Sequence, residues 1–357
     1  MAGTATHRRT TEERTTASNI KEVARQAGVS IGTVSNVLNR PNLVAPATRQ
    51  RVLDVISALG YVRNDSARQL RAGHSRTVAV VVLDVANPFF TDVVRGVEAA
   101  LDGSGSMVIV CNSGEDSARE RRHLDQLEEQ RVRGLLITPV NSGSNPRLEQ
   151  LIDRGIPVVL VDRGAGTRNR CSVAVDDILG GRLAAAHLIE RGHRVIAFVG
   201  GPLAIPQVAE RLAGARAVVA ETPGTALEVL EMPALTTVYG RRAGDQIATM
   251  PASRRPTAVF CANDLLALGV LQEMTRHGLR VPGQVAIVGY DDIEYAAASA
   301  VPLSSVAQPR EQLGRTAAEL LVEEISTGAS HRHRQVVFEP ELVVRESSAA
   351  AVRHRRR

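Results

Sequence analysis

The chain has no tryptophan and only five phenylalanines and four tyrosines in 357 residues, so an aromatic that falls at a cleft position carries weight. Lysine is scarcer still. Of 43 basic residues only Lys21 is a lysine, a bias of genomic base composition from which nothing functional follows. Cys111, Cys171 and Cys261 are odd in number, far apart and set beside apolar or strand-like sequence, which suits buried reduced thiols better than a disulfide framework or a zinc site. Long apolar runs are missing. Val78–Leu83, Val158–Val161 and Val195–Val199 have the length of strands, far below the roughly 20 residues of a membrane-spanning helix. The first twenty residues hold no apolar block that could act as a signal peptide, so the expected location is the cytoplasm, on the nucleoid, with no membrane partner.

Enzyme signatures are lacking as well. There is no G-x-S-x-G elbow, no G-x-x-x-x-G-K-[ST] phosphate loop and no H-E-x-x-H, and Gly103-Ser104-Gly105 is a lone turn without the rest of a dinucleotide fingerprint. The run His331-Arg332-His333 reads as a solvated polar turn without further ligands nearby. No catalytic residue, cofactor or metal is expected.

What is present is an uneven charge. Residues 19–75 hold eight basic groups against three acidic ones, whereas residues 76–351 carry a net charge of −5. A small basic head on a mildly acidic body suits a protein that grips phosphate with one module and does something else with the rest. The RHRRR run at Arg353–Arg357 reads as a solvated tail, as do residues 1–18 at the other end.

Within the head, Asn19-Ile20-Lys21-Glu22 has the form of a capping box, and Ile20, Val23, Ala24 and Ala27 recur at helical spacing. Gly28 ends that helix, Ser30 can cap a second bearing Val34, Val37 and Leu38, and the tight turn between them predicts helix-turn-helix. A third helix is expected from Pro46 to the stop at Gly60.

From Thr77 onward short β-rich runs alternate with helical patterns. Strands are expected at Val78–Leu83, Met107–Cys111, Gly134–Thr138, Pro157–Val161, Val195–Val199, Ala258–Cys261 and Val285–Gly289. Such alternation predicts an α/β body of doubly wound parallel sheets. Ligands of open α/β sheets bind beyond the carboxyl ends of the strands. That rule selects Asn87, Phe89 and Phe90, Asp162 and Arg163, Asn263 and Asp264, and Asp291, with Arg211 and Tyr239 converging on the same cleft. Carboxylates and amides would exchange hydrogen bonds with hydroxyls, Arg211 would donate in a fork, and Phe89, Phe90 and Tyr239 would stack on an apolar ligand face. Phe89 and Phe90 could equally be core residues, Asp264 a helix-start carboxylate, and Asp176 or Asp177 a crossover cap.

The segments NIKEVARQAGVSIGTVSNVLN, TRQRVLDVISALGYVRN and SARQLRAG, followed in order by NPFF, GHR, RLAG, ANDLLALG and GYDD, together resemble the LacI family of bacterial transcription regulators as far as about residue 347. The resemblance implies a helix-turn-helix head at 19–63, a hinge and linker at 64–75, an effector-binding and dimerisation domain at 76–347, and a tail at 348–357. It implies two lobes of periplasmic-binding-protein type with chain crossings near Val173, Gln308 and Phe338. Lobe 1 would comprise about 76–173 and 308–338, and lobe 2 about 174–307 and 339–347. The second helix would enter the major groove and present Ile31, Gly32 and Asn36 to base edges. Of these, Asn36 can read adenine and Ile31 only a thymine methyl. Ser30, Thr33 and Ser35 would contact phosphate or pack the turn, and Arg49 would contact phosphate. Asn64, Ala67, Arg68 and Leu70 would lie in a hinge that folds on the operator, Leu70 wedging into the minor groove. Asp162, Arg211, Asn263 and Asp291 match effector positions. Ile205, where some family members carry a second arginine, weakens an anionic ligand. The expected function is a homodimeric, possibly larger, regulator of a pseudo-palindromic operator, most often a repressor, answering a sugar. A purine-like corepressor is the alternative, and a free sugar-binding protein the rival reading.

Overall fold

The computed structural model describes residues 19–61, 75–141, 145–164, 166 and 169–349. It separates into two compact units, one ending at Gly73 and the other beginning at His74.

Among the described residues the first unit holds three α-helices: α1 (Ile20–Ala27), α2 (Ile31–Asn39) and α3 (Pro46–Leu59). Asn19 caps α1 by accepting a hydrogen bond from the Glu22 amide at 3.1 Å. Gly28 ends α1 at φ 62°, a left-handed backbone that side chains disfavour. Ser30 Oγ then accepts from the Thr33 amide at 3.0 Å and opens α2. The turn is thus written into four residues. Val23, Ala24 and Ala27 from α1, Val34 and Val37 from α2, and Val52 from α3 close a small core.

The second unit is built on two six-stranded sheets, ordered β11-β5-β4-β3-β1-β2 and β12-β10-β9-β8-β6-β7. The first contains β1 (Thr77–Val82), β2 (Met107–Asn112), β3 (Gly134–Ile137), β4 (Val158–Val161), β5 (Cys171–Val175) and β11 (Gln335–Phe338). The second contains β6 (Val195–Gly200), β7 (Ala226–Glu231), β8 (Ala258–Cys261), β9 (Ala286–Asp291), β10 (Ser304–Ala307) and β12 (Glu341–Val343). Every pairing is parallel except that of β12 with β10, a departure from the all-parallel expectation at one edge. Central strands buried on both faces need unbroken apolar runs, and β1, TVAVVV, is buried throughout.

Helices α4 (Pro88–Leu101) and α12 (Arg310–Thr327) pack on one face of the first sheet through Val97, Leu313 and Leu321. Helices α5 (Ser117–Glu129) and α6 (Pro146–Asp153) pack on the other through Leu124 and Leu148. The second sheet is covered by α7 (Asp177–Glu190), α8 (Pro206–Glu221), α9 (Thr237–Thr249) and α10 (Asp264–Arg276). A short α11 (Glu294–Ala298) and α13 (Glu346–Ala349) complete the set.

The chain leaves the first sheet after β5, which continues past Val173 to Val175, so the first crossing falls at Asp176. It returns from β10 to α12 through Gln308, and crosses again between β11 and β12 after Phe338. Ser348 and Ala349, expected in the tail, belong to the folded body. Ser348 Oγ lies 2.7 Å from His187 Nε2 and from Ser304 Oγ, and Arg191 donates to the Ala349 carbonyl. Two serines, Ser347 and Ser348, are fully buried there because each hydroxyl has such partners. None of the described helices is long and apolar enough to cross a membrane.

Candidate functional site

In the first unit the start of α2 is a presented surface. Ile31 is 46% exposed, unusual for an isoleucine, and Gly32 and Asn36 are exposed beside it. Ser30 is committed to the cap, its Oγ also lying 2.9 Å from Thr33 Oγ1, so both hydroxyls hold the helix start. Ser35 is half-buried and accepts from Asn39 Nδ2 through its carbonyl at 2.8 Å. Arg49 is half-buried near the start of α3. Asn64, Ala67, Arg68 and Leu70 lie outside the described residues.

In the second unit the carboxyl ends of both sheets border a small cavity of about 40 Å³. Of the ten residues expected at the cleft, Asn87, Phe89, Phe90, Asp162, Arg211, Asn263 and Asp291 line it. Tyr239 does not. It packs against the core of the second lobe, because α9 turns that face onto the sheet. Arg163 does not line it either, but borders a neighbouring groove with Asn145, Glu149 and Glu210, since the chain turns outward after Asp162.

The strand ends impose unusual backbones on the acids. Asp162 sits at φ 54° and Asp291 at φ 99°, conformations costly for side-chain-bearing residues and met chiefly where function demands an orientation. Asn87 caps α4, accepting from the Phe89 amide at 3.1 Å, while its Nδ2 donates to Asp291 Oδ2 across the lobes at 3.3 Å. Gln207 Nε2 donates to the Asp162 carbonyl at 2.6 Å and to its Oδ2 at 3.0 Å, a second bond between lobes. Gln308 Nε2 donates to Asp291 Oδ1 at 2.8 Å.

Arg211 is not the free fork anticipated. Its Nε donates to Asp177 Oδ1 at 2.7 Å and its Nη1 to the Ala262 carbonyl at 2.7 Å. Its guanidinium lies 3.7 Å from the centroid of the Tyr290 ring, and Asp291 Oδ1 is 3.8 Å from Nη1. Burial pushes its pKa down, but Asp177, Tyr290, Asp291 and Asp162 more than offset this, so the charge is secure. Asn263 is likewise engaged, accepting from the Leu266 amide at 2.9 Å as the cap of α10 and donating to the Leu235 carbonyl at 3.1 Å. Phe89 and Phe90 meet edge to face at 5.0 Å and are 2% and 6% exposed. Both are core residues of the first lobe that also line the cavity. Asp264 is a support, accepting from Ser305 Oγ at 2.7 Å and from the Ile293 amide at 2.9 Å. Asp176 caps α7 by accepting from the Leu179 amide at 2.8 Å.

Burial governs the acids. It raises the pKa of Asp162, with Asp177 adding to the effect, and that of Asp291 to about 6 against the pull of Arg211. Glu115 is raised by burial and then by Asp84, both of which line the cavity. Asp162 Oδ1 is buried with no hydrogen-bond partner. Sequence reasoning missed Gln207, Glu115, Asp84 and the role of Asp177. Gln207 had a signal, lying four residues before Arg211 and therefore on the same face of α8. Glu115 and Asp84 had none, because only the fold brings their loops together.

The expectation of a solvated His331-Arg332-His333 holds for the exposed Arg332 but fails for His331. The loop between α12 and β11 folds over the start of β5, leaving the His331 side chain 2% exposed and its Nε2 3.1 Å from Cys171 Sγ. Of the three free thiols, Cys171 and Cys261 are buried but Cys111 is only half-buried, since β2 is an edge strand.

Residues 19–64 match the family model for bacterial regulatory proteins, lacI family, and residues 185–348 match that for a periplasmic binding protein-like domain. Over 337 residues the chain is 35% identical to the HTH-type transcriptional repressor PurR of Aliivibrio fischeri strain MJ11, covering 92% of this chain and 98% of that one. It is 36% identical over 336 residues to the repressor PurR of Vibrio campbellii, with the same coverage. The fold matches the lac repressor dimer bound to operator and the anti-inducer ONPF with a TM-score of 0.79 and 27% identity, over 94% of this chain and 100% of that one. A transcriptional regulator CelR–cellobiose complex aligns with a TM-score of 0.66 and 34% identity, over 92% and 99% of the two chains.

Proposed function

The chain belongs to the LacI family of bacterial transcription regulators and is a DNA-binding repressor with an effector-binding domain, not an enzyme; from that premise we propose that its effector is an uncharged, hydroxyl-rich molecule of the sugar class. The observation that carries this reading is Asp162 Oδ1, a buried acceptor without a donor in a cavity where Asp84, Glu115 and Asp291 add further carboxylates. A ligand hydroxyl supplies the missing donor. An anion is disfavoured, because Arg211 is the one cation among the described lining residues and Asp177 already holds it. The solved relative carrying cellobiose has a ligand of this chemistry.

A planar purine-like heterocycle is the second reading. The raised pKa of Asp162 makes its carboxyl easier to protonate than an ordinary one, so that it can donate as well as accept, which suits an edge of alternating donors and acceptors. A thermal-shift screen of neutral sugars, sugar phosphates and nucleobases separates the two, since a ligand of the native state raises the midpoint by mass action. The sugar reading expects a neutral sugar to act and its phosphate to fail. A shift from nucleobases alone overturns it.

The regulator is proposed to act in the cytoplasm as a homodimer on a pseudo-palindromic operator, with α2 in the major groove and the exposed Ile31 and Asn36 at base edges. The minor-groove contact expected of Leu70 is tested by Leu70→Ala. That variant should lose operator affinity while non-specific DNA binding stays unchanged.

A further inference from the structure

We propose that Cys171, Glu324, His331 and His333 form a site for one divalent transition-metal cation of the zinc type. The four meet from two stretches that are remote in sequence: the first residue of β5, and the last turn of α12 with the loop that follows it into β11. One ligand atom from each can be chosen so that all four lie within 4.8 Å of one another.

The spacing is that of a coordination shell. Cys171 Sγ is 3.1 Å from His331 Nε2 and 3.9 Å from His333 Nδ1, and His333 Nδ1 is 4.0 Å from Glu324 Oε2. A tetrahedral centre with ordinary zinc–sulfur and zinc–nitrogen bonds sets its ligands about 3.3–3.6 Å apart, so side-chain shifts on the order of 1 Å close the shell. Thiolate, imidazole and carboxylate together select a borderline-soft cation over magnesium or calcium.

Without a cation the cluster is poorly satisfied. Glu324 Oε2 and His331 Nδ1 are both buried with no hydrogen-bond partner. Glu324 stands, with Glu323, in the last turn of α12, where the helix dipole disfavours negative charge and no basic side chain of that turn compensates. A bound cation gives Glu324 Oε2 a partner and offsets the negative charge at this helix end. Glu323 Oε1, 3.9 Å from His331 Nδ1, is placed to orient that ring from behind, as outer carboxylates orient metal-bound histidines. The other cluster of similar composition, Asp245, Glu273 and His277, carries no such case, because Arg276 and Arg241 already pair with its acids.

The site lies at the amino ends of β5 and β11, whereas the effector cavity lies beyond the carboxyl ends of the strands, so metal and effector can be tested apart. Tag-free full-length protein, stripped with chelator and reduced, is titrated with cobalt(II). One equivalent should give a thiolate-to-cobalt charge-transfer band with the intense d–d absorption of a tetrahedral centre, and one equivalent of zinc should displace it. Cys171→Ser should abolish the charge-transfer band and Cys111→Ser should leave it intact. His333→Ala, at a ring 27% exposed, should bind cobalt at least about 100-fold more weakly, since loss of even an outer-shell partner can cost that much. Absence of the band in the wild type, or its survival in Cys171→Ser, overturns the proposal. Should Cys171→Ser fail to fold, unchanged cobalt affinity in His333→Ala overturns it equally.

Discussion

Arg211 and Asp162 illustrate two kinds of buried charge, and the difference determines which of them tests the site. Arg211→Ala leaves Asp177 and Asp291 buried and unpaired, a change that costs about 3–5 kcal/mol where a buried pair is broken. Loss of effector response in that variant would therefore mix binding with folding. Asp162→Asn is the cleaner change. Burial raises the pKa of Asp162, so its charge destabilises the unliganded protein at neutral pH, and the variant should melt no lower than wild type while losing the effector-induced shift. Thermal shift with and without ligand checks both, and an unaltered ligand shift would take Asp162 out of the site. His193 supplies a pH test. Burial, and then the nearby His187, lower its pKa from 6.5 to about 4, so the folded state resists its protonation. Its contribution is complete above pH 6.5 and is lost as pH falls through 4, and across that window the wild type should lose up to about 3 kcal/mol relative to His193→Gln in urea denaturation. Asp291, raised to about 6, runs the other way, its contribution growing as pH falls through that value, which is why the comparison must be between variants.

At the scale of elements, the ion pair of Arg211 with Asp177 depends on how closely α7 and α8 approach. Gly181 and Gly214 lie where the two backbones touch. A Cβ on Gly181 would run into the Arg211 carbonyl, and one on Gly214 into the Ile178 carbonyl, well inside van der Waals distance. Neither obstacle is a flexible side chain that could swing aside. Gly214→Ala should accordingly destabilise the fold by about 1–3 kcal/mol, as overpacking of close-packed interiors does, and weaken effector binding as Arg211 is drawn away from Asp177. Urea denaturation and the ligand-induced thermal shift measure the two effects. A variant of wild-type stability would mean that the helices can separate freely.

For the whole molecule, the basic head and the interlobe bonds set the expected behaviour. Operator affinity should fall steeply with salt, by a log–log slope of about −0.9 for each phosphate neutralised, and a dimer doubles every such contact. A flat plot from fluorescence anisotropy would contradict binding by the head. The lobes are bridged by Asn87 to Asp291 and by Gln207 to Asp162, so an effector that takes up these groups must exchange the bonds for its own. It can alter DNA binding only through different affinities for the two states of the protein. Gln207→Ala removes one bridge without removing a charge, and should shift the effector concentration at half-response while leaving DNA binding at saturating effector unchanged.

The sequence by itself determined the local structure. The caps Asn19 and Ser30, the stops Gly28 and Gly60, and apolar runs such as TVAVVV act within a few residues, through backbone sterics, capping and burial on both faces of a strand. Those forces also sufficed to place Asn87, Asp162, Asn263 and Asp291 beyond strand ends. Short or polar strands, Ser304–Ala307 and Gln335–Phe338 among them, escaped because their neighbours in the sheet, not their own pattern, hold them. Only the tertiary structure decided that Arg211 is held by Asp177, that Tyr239 faces the core, that Gln207 bridges the lobes, and that His331 and His333 meet Cys171 from 160 or more residues away. Each of these is an encounter between distant segments, and electrostatics and desolvation act on distances in space that residue spacing along a chain does not encode.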